Sequence, residues 1–217
     1  MPIGSQGCRC GLASAALVAL LIAAPPAHSS PAVSGDTETV AGWVRTTGDN
    51  QGTPFAIVDK KAAAVHIFDA DGKRRASSPI LLGLAKGDHS VPGIGERQMA
   101  DIRDAERTTP AGRFVSEPGR NLSGEDIVWV DYDAAVSMHR VRATNKAERR
   151  LERLATPTAA DNRISYGCIN VPAAFYDAHV KPSFGTAKAV IYVLPETRPA
   201  STLFETSTAR SEAPPAR

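Results

Sequence analysis

A mainly β domain with two or three short helices is the fold class that the sequence predicts. Short apolar runs recur along the chain, turn-forming residues separate them, and helical periodicity is confined to brief stretches. Residues 53–196 hold these runs, which is one domain's worth of chain and enough to bury a core. We therefore expect a single folded unit in which strands dominate.

The individual strands are predicted where β-branched and aromatic residues cluster between turn residues. In chain order these segments are Phe55–Asp59, Ala64–Asp69, Pro79–Leu84, Thr109–Val115 (a turn that feeds a strand), Asp126–Tyr132, Ala135–Val141 and Ala189–Leu194. A capping-box pattern predicts an amphipathic helix over Asn145–Leu154, and Pro172 predicts a helix that ends near Val180. Residues 85–109 are predicted to form a long loop, or a loop that contains a short helix around Ile102 to Glu106, and long loops in compact domains are often functional.

The ends of the chain differ from this body. Arg9 precedes an apolar run, and small residues follow it, so residues 1–29 are predicted to be a secretory signal peptide. The run is short for a membrane span, although an uncleaved signal would leave the protein anchored. We expect a secreted or periplasmic protein of the cell envelope. Residues 30–52 are predicted to be a linker or loosely docked arm, and residues 197–217 a disordered tail.

Composition excludes several classes of partner. The formal net charge of +2 falls to +1 when Arg9 leaves with the signal, and no basic patch is typical of a nucleic-acid-binding protein. No Cys or His pair has the spacing of a metal-ligand set. We therefore expect no nucleic acid, no metal and no cofactor.

Cys168 is the candidate nucleophile. Signal cleavage removes Cys8 and Cys10 and leaves Cys168 unpaired in an exported protein, so this thiol is either buried and inert or kept for reactivity. The helix start at Pro172 is expected to lower the pKa of the thiol through its dipole and amides. Gly167 allows a tight turn with close access for a substrate carbonyl.

A cysteine nucleophile needs a base, for which histidine is suited near neutral pH. His139 is the best placed, because it lies near the end of a predicted strand that leads back to the cysteine turn. The backbone amides of Tyr166, Gly167 and Cys168 are expected to form an oxyanion hole.

The segment Ser-Tyr-Gly-Cys-Ile-Asn, Ser165–Asn170, resembles the signature of L,D-transpeptidases of the YkuD type. Thr109–Phe114 is similar to the Thr-Pro-x-Gly-x-Phe turn of that family, and the resemblance covers Phe55–Leu194. It implies that residues 53–196 form a β-sandwich-like catalytic domain. It also implies an enzyme that acts on peptidoglycan stem peptides in cell-wall biogenesis and cell shape.

The resemblance also implies roles for single residues. Cys168 would attack the carbonyl of the L-centre residue, expel the terminal D-alanine and form a thioester, which an acceptor amine resolves. His139 would act as general base and then acid, with its ring oriented by the carbonyl of Arg140. Amides of the turn would hold the oxyanion, and Ser165 and Asn170 would shape the turn. A carbapenem is expected to acylate the same thiol.

The sequence departs from the family pattern at three points. Tyr166 stands where His is usual, Arg140 where Gly or Ser is usual, and 29 residues separate His139 from Cys168, which is longer than typical. The extra length is the predicted helix over 145–154, which is expected to form a lid or wall over the cleft. Two alternatives stay open: an L,D-carboxypeptidase that uses water as acceptor, and a catalytically silent peptidoglycan-binding envelope protein.

Overall fold

The computed structural model describes Met1 and residues 30–204, and the prediction of a mainly β domain with a few short helices is confirmed. The described strands form one mixed eight-stranded sheet, ordered β3-β2-β1-β10-β5-β6-β7-β9, and a two-stranded sheet of β4 and β8. The strands are β1 (Phe55–Asp59), β2 (Ala64–Phe68), β3 (Arg74–Pro79), β4 (Leu82–Gly83), β5 (Gly112–Arg120), β6 (Asp126–Asp131), β7 (Val136–Arg140), β8 (Arg163–Ser165), β9 (Ile169–Val171) and β10 (Ala189–Val193).

Short helices fill the connections. The α-helices are α1 (Gly35–Thr47), α2 (Arg150–Ala155), α3 (Ala173–Phe175) and α4 (Lys181–Phe184), and a π turn over Tyr176–Val180 joins the last two. Single 3₁₀ turns lie at Ile94–Glu96, Met99–Asp101, Asp104–Glu106, Lys146–Glu148 and Ala159–Asn162. In the part of the chain that the structure describes, no helix has the length and apolar character needed to cross a membrane.

The sheet separates two hydrophobic cores. All five residues of β1 are buried, because alternate side chains point to opposite faces. Ala56 and Val58 pack into an inner core with residues of β2, β6, β7, β9 and β10, so the sheet wraps around it. Phe55 and Ile57 pack into an outer core beneath α1.

The two edges of the large sheet are brought together beside the cysteine turn. Leu81, just after the edge strand β3, donates its N–H to the carbonyl of Asn170 in the other edge strand β9 at 2.8 Å, and accepts the Asn170 N–H at 2.9 Å. The next residues form β4, which pairs with β8 immediately before the turn. The cysteine turn is therefore held on one side by the contact between Leu81 and β9 and on the other by the pairing of β8 with β4.

The prediction of a linker over residues 30–52 is corrected. Most of this segment is α1, with Ser34 as its N-cap and Gly48 in the left-handed conformation at its end. Val40, Ala41 and Val44 are buried against the outer core. The Ser- and Thr-rich composition concealed this narrow apolar stripe.

The predicted tail also begins later than residue 197. Ala200 and Leu203 are buried in the outer core, and Phe204 stacks on Trp43 with 4.8 Å between ring centroids. The predicted signal peptide lies outside the described residues, apart from Met1.

Three local predictions differ from the structure. Arg74–Pro79 is a strand that its polar sequence did not suggest, and the predicted strand Pro79–Leu84 is divided between the end of β3 and the short β4. The predicted helix over 145–154 is a 3₁₀ turn followed by α2, because Arg149 takes a left-handed conformation between them. Leu151 is 56% exposed there rather than packed.

Candidate active site

The parallel pairing of β7 with β9 assembles the site. In this register His139 lies opposite Asn170, and Cys168 immediately precedes β9. The Cys168 Sγ lies 3.7 Å from Ser137 Oγ and 3.7 Å from the carbonyl oxygen of Ala135. Because residues two apart in a strand share a face, Ser137 and His139 both point toward the cysteine. The structure thus brings the predicted nucleophile and base together.

The ring of His139 is held in one tautomer. Its Nδ1 lies 2.8 Å from the carbonyl oxygen of Arg140, which can only accept a hydrogen bond, so Nδ1 carries the proton. Nε2 is then the unprotonated nitrogen and can act as a base.

Arg140 contributes through its backbone, since its side chain is engaged elsewhere. The guanidinium donates to Asp126 at 3.2 Å and to Asp177 at 2.5 Å, and it lies 4.2 Å from the centroid of the Tyr176 ring. These contacts fix the end of β7 and hence the carbonyl that orients His139. The unusual arginine is compatible with the role predicted for this position.

The pKa values of the two reactive groups shift in opposite directions. Burial by itself raises the pKa of the Cys168 thiol, but the adjacent His139 and hydrogen bonding by Ser137 outweigh it and the pKa falls below its ordinary value. Burial by itself lowers the pKa of His139, but Cys168 and the Arg140 carbonyl outweigh it and the pKa rises. Proton transfer from sulfur to the imidazole is therefore favoured relative to the free side chains.

The expected contribution of a helix dipole is corrected. The β9 strand separates Cys168 from the helix that begins at Ala173, so the thiol does not lie at the helix N-terminus. The macrodipole acts mainly within the first turn of a helix. The lowered pKa of the thiol comes from His139 and Ser137 instead.

The turn before Cys168 requires glycine. Gly167 has φ +133°, and a Cβ at this position would lie 2.9 Å from the carbonyl oxygen of Thr108. Thr109 secures the same turn, since its hydroxyl donates to the Gly167 carbonyl at 2.8 Å and accepts the Gly83 N–H at 2.9 Å. This hydroxyl connects the turn to β4, a contact that the sequence did not reveal.

Ser165 closes the turn from inside. Its hydroxyl donates to the Cys168 carbonyl at 2.7 Å and accepts the Gly167 N–H at 3.1 Å. Of the three amides predicted for the oxyanion hole, that of Gly167 is thus already bonded within the turn. The amides of Tyr166 and Cys168 remain the candidates.

Three residues near the turn were missed by sequence reasoning. Ser137 touches the sulfur, Arg150 donates to Asn170 Oδ1 at 2.6 Å, and Arg107 lies 3.9 Å from the centroid of the Tyr166 ring. The tyrosine in place of histidine is therefore stacked on a cation.

Among the described residues, no group of three or more His, Cys, Asp and Glu side chains is arranged to hold a metal ion.

A buried ionic cluster lies behind the turn. We call Lys60, Asp88, Arg163 and Glu196 the Lys60 cluster. Lys60 Nζ donates to Asp88 at 2.9 Å and to the carbonyl of Thr109 at 2.9 Å, and the Lys60 and Asp88 side chains are 0% and 1% exposed. Arg163 Nη2 donates to Glu196 at 2.6 Å. The cluster therefore supports Thr109, and through it the cysteine turn, from the protein interior.

Neither a protein-family model nor a curated protein matches this sequence. Solved structures do match it, at low identity. The catalytic domain of the Enterococcus faecium L,D-transpeptidase matches with TM-score 0.36 and 19% identity, over 66% of this chain and 98% of that one. An L,D-transpeptidase from Mycobacterium smegmatis matches with TM-score 0.36 and 19% identity, over 64% of this chain and 58% of that one. The helical cell shape determining protein Pgp2 from Campylobacter jejuni matches with TM-score 0.43 and 15% identity, over 82% and 65%. Among solved structures, this chain thus resembles L,D-transpeptidases.

Proposed function

We propose that this protein is an exported, cysteine-dependent L,D-transpeptidase that acts on peptidoglycan stem peptides through a thioester. One observation carries the proposal: the Cys168 thiol lies beside the histidine whose Nδ1 is held by a carbonyl, and each group shifts the pKa of the other toward proton transfer. A thiol with these neighbours is suited to acyl transfer.

In the first half-reaction, His139 Nε2 takes the proton of Cys168 as the sulfur attacks the carbonyl carbon of the L-centre residue. In this proposal the amides of Tyr166 and Cys168 bind the oxyanion that forms. Collapse of this intermediate breaks the peptide bond, and His139 returns its proton to the amine of the departing D-alanine. The product is a thioester between the stem peptide and Cys168.

In the second half-reaction, an amine of another stem peptide attacks the thioester carbonyl and gives its proton to His139. The thiolate leaves and recovers that proton. Throughout both steps Ser165 keeps the turn closed, Asn170 bridges the cysteine carbonyl and the histidine, and the carbonyl of Arg140 orients the ring. Water in place of the amine makes the same site an L,D-carboxypeptidase.

The test is the intact mass of the protein after exposure to a carbapenem, whose strained β-lactam presents an acyl carbonyl. We expect one adduct on the wild type and none on Cys168→Ala, with circular dichroism unchanged. Incubation with a stem tetrapeptide, with and without an acceptor amine, then distinguishes cross-linking from hydrolysis. Failure of the wild type to form an adduct, with its thiol reacting with iodoacetamide no faster than free cysteine, would contradict the proposal and favour a binding protein.

A further inference from the structure

We propose that Arg150 is a positioning residue, which holds His139 in its reactive tautomer by fixing the side-chain amide of Asn170. The inference deepens the proposed function, on which its kinetic part rests. It also assigns a task to the segment that lengthens the chain between His139 and Cys168.

The amide of Asn170 is oriented from two sides. Arg150 Nη1 lies 2.6 Å from Asn170 Oδ1, and Asn170 Nδ2 lies 3.2 Å from the carbonyl oxygen of Cys168. A guanidinium only donates and a carbonyl only accepts, so each partner independently requires this orientation of the amide. Rotating the amide by 180° would lose both hydrogen bonds.

The same orientation reaches His139. The Asn170 Nδ2 lies 3.4 Å from His139 Nε2, so an amide hydrogen faces this ring nitrogen. An Nε2 that faces a donor is favoured in its unprotonated form. The Arg140 carbonyl on Nδ1 therefore selects the tautomer from one end of the ring, and Asn170 selects it from the other.

Arg150 is itself held in place. Its Nε donates to Glu148 at 2.5 Å, and its side chain is 14% exposed. Leu154, one turn further along α2, is buried and anchors the helix. The segment thus forms a wall of the site with one cation directed inward.

The positive charge of Arg150 also favours the unprotonated form of His139. Burial and the positive charge of Arg150 both lower the pKa of His139, whereas Cys168 and the Arg140 carbonyl raise it. The nearby carboxylates Asp126 and Asp177 are paired with the guanidinium of Arg140. Removing the Arg150 charge is therefore expected to raise the pKa of His139 further, and so to extend to higher pH the inactive form in which the imidazole is already protonated while the thiol still holds its proton.

The experiment compares Arg150→Met with Arg149→Met, which removes an exposed arginine from the adjacent position, and with Arg150→Lys, which keeps a charge and a donor. The ¹⁵N shifts of the His139 ring report the tautomer directly. In the wild type we expect the Nδ1–H form, and in Arg150→Met a mixture of both neutral forms with a higher imidazole pKa.

The kinetic readout is the pH profile of carbapenem acylation. For Arg150→Met we expect acylation at neutral pH to fall by about tenfold, because a hydrogen bond involving a charged group is typically worth that factor or more. The acidic limb of the profile should move to higher pH. Arg150→Lys should recover most of the rate, and Arg149→Met should match the wild type.

Unchanged ring shifts and an unchanged profile in folded Arg150→Met would overturn the inference. Asn170→Leu provides a second route, because it removes the amide and leaves Arg150 in place. It should alter the ring shifts in the same direction. The ring shifts need no substrate, so a wild type that forms no acyl-enzyme contradicts the proposed function without deciding the role of Arg150.

Discussion

The Lys60 cluster and the cysteine site are both buried polar networks, yet they are built in opposite ways. In the cluster each charge is bonded to an opposite charge or to the backbone, with Lys60 between Asp88 and the Thr109 carbonyl and with Arg163 on Glu196. At the site the sulfur of Cys168 lies 3.7 Å from Ser137 Oγ and 3.7 Å from the carbonyl oxygen of Ala135, and the residue is partly exposed. Among the described residues, the sulfur has no opposite full charge beside it other than His139 when that ring is protonated.

Shifted pKa values occur in both networks and so do not distinguish them. Desolvation lowers the pKa of Lys60 even though Asp88 opposes this shift. Burial by itself raises the pKa of Asp88, but hydrogen bonds from Thr197, the Glu196 amide and Lys60 outweigh it and lower the pKa well below its ordinary value. The informative feature is a thiol beside an imidazole that can take its proton, whereas the charges of the cluster are paired with one another.

The largest effect on activity is expected when the base of the cysteine site is removed. His139→Gln leaves Cys168 without a proton acceptor, so acylation by a carbapenem should slow by about 10²- to 10⁴-fold. Urea unfolding should change little, because the ring is partly exposed and lies at the end of β7. Stopped-flow acylation with matched unfolding curves tests both halves. A rate near that of the wild type would exclude His139 as the base.

A substitution in the Lys60 cluster should instead lower the free energy of unfolding. Lys60→Met removes the lysine charge that is paired with the buried Asp88 carboxylate, and breaking a buried pair in this way typically costs about 3–5 kcal/mol. Lys61→Met is the matched control, since Lys61 is 51% exposed and its ion pair with Asp36 is worth at most about 1 kcal/mol. Urea midpoints of the two variants should differ accordingly. Equal midpoints would mean that the cluster does not stabilise the fold.

Asp88 should also give the fold an acid dependence. Its pKa is lower in the folded chain than in the unfolded chain, so its contribution is complete above the unfolded value, about 4, and is lost as the pH falls through the folded value. Asp88→Asn should therefore lower Tm at pH 7 and show a shallower loss of Tm below pH 4 than the wild type. Parallel Tm curves would argue against this linkage.

The smallest effect is expected at Ser137, which lies beside the sulfur of the cysteine site. Ser137 lowers the pKa of the Cys168 thiol, so Ser137→Ala should raise that pKa and slow iodoacetamide alkylation at pH 7 by about two- to tenfold. Ser116→Ala is the control, because its hydroxyl donates to the Ala189 carbonyl in another part of the sheet. Identical alkylation rates in wild type and Ser137→Ala would show that Ser137 does not lower the pKa of the Cys168 thiol.

How much could be predicted from the sequence depended on how local the signal was. β1 and β2 are mainly apolar, buried throughout and bounded by turns, so their own residues predict them. β3 is polar because it is an edge strand with two exposed arginines, and its pairing with β2 rather than its composition makes it a strand. The sequence did not predict α1 because its three buried apolar residues stand among Thr, Gly and charged residues.

The residues of the candidate site also differ in whether a local signal could predict them. Cys168 and His139 were proposed because the chemistry of a thiol and an imidazole is a property of each residue type. Ser137 and Arg150 were not proposed, because their importance depends on the register of β7 on β9 and on the fold of the segment before α2. A serine in a strand and an arginine on a polar helix carry no distinguishing local signal.

The position of β10 in the sheet has a consequence for how the chain reaches its fold. β10 is the last strand among the described residues, yet it lies in the interior of the sheet, where Phe55 pairs with Val190 on one side and Phe114 with Ile191 on the other. Contacts between residues so far apart in sequence are slow to form. A chain synthesised only as far as residue 188 would expose two unpaired strand edges, and such edges promote aggregation. Rapid handover to a chaperone during synthesis would therefore matter more for this protein than for one whose last strand lies at the rim.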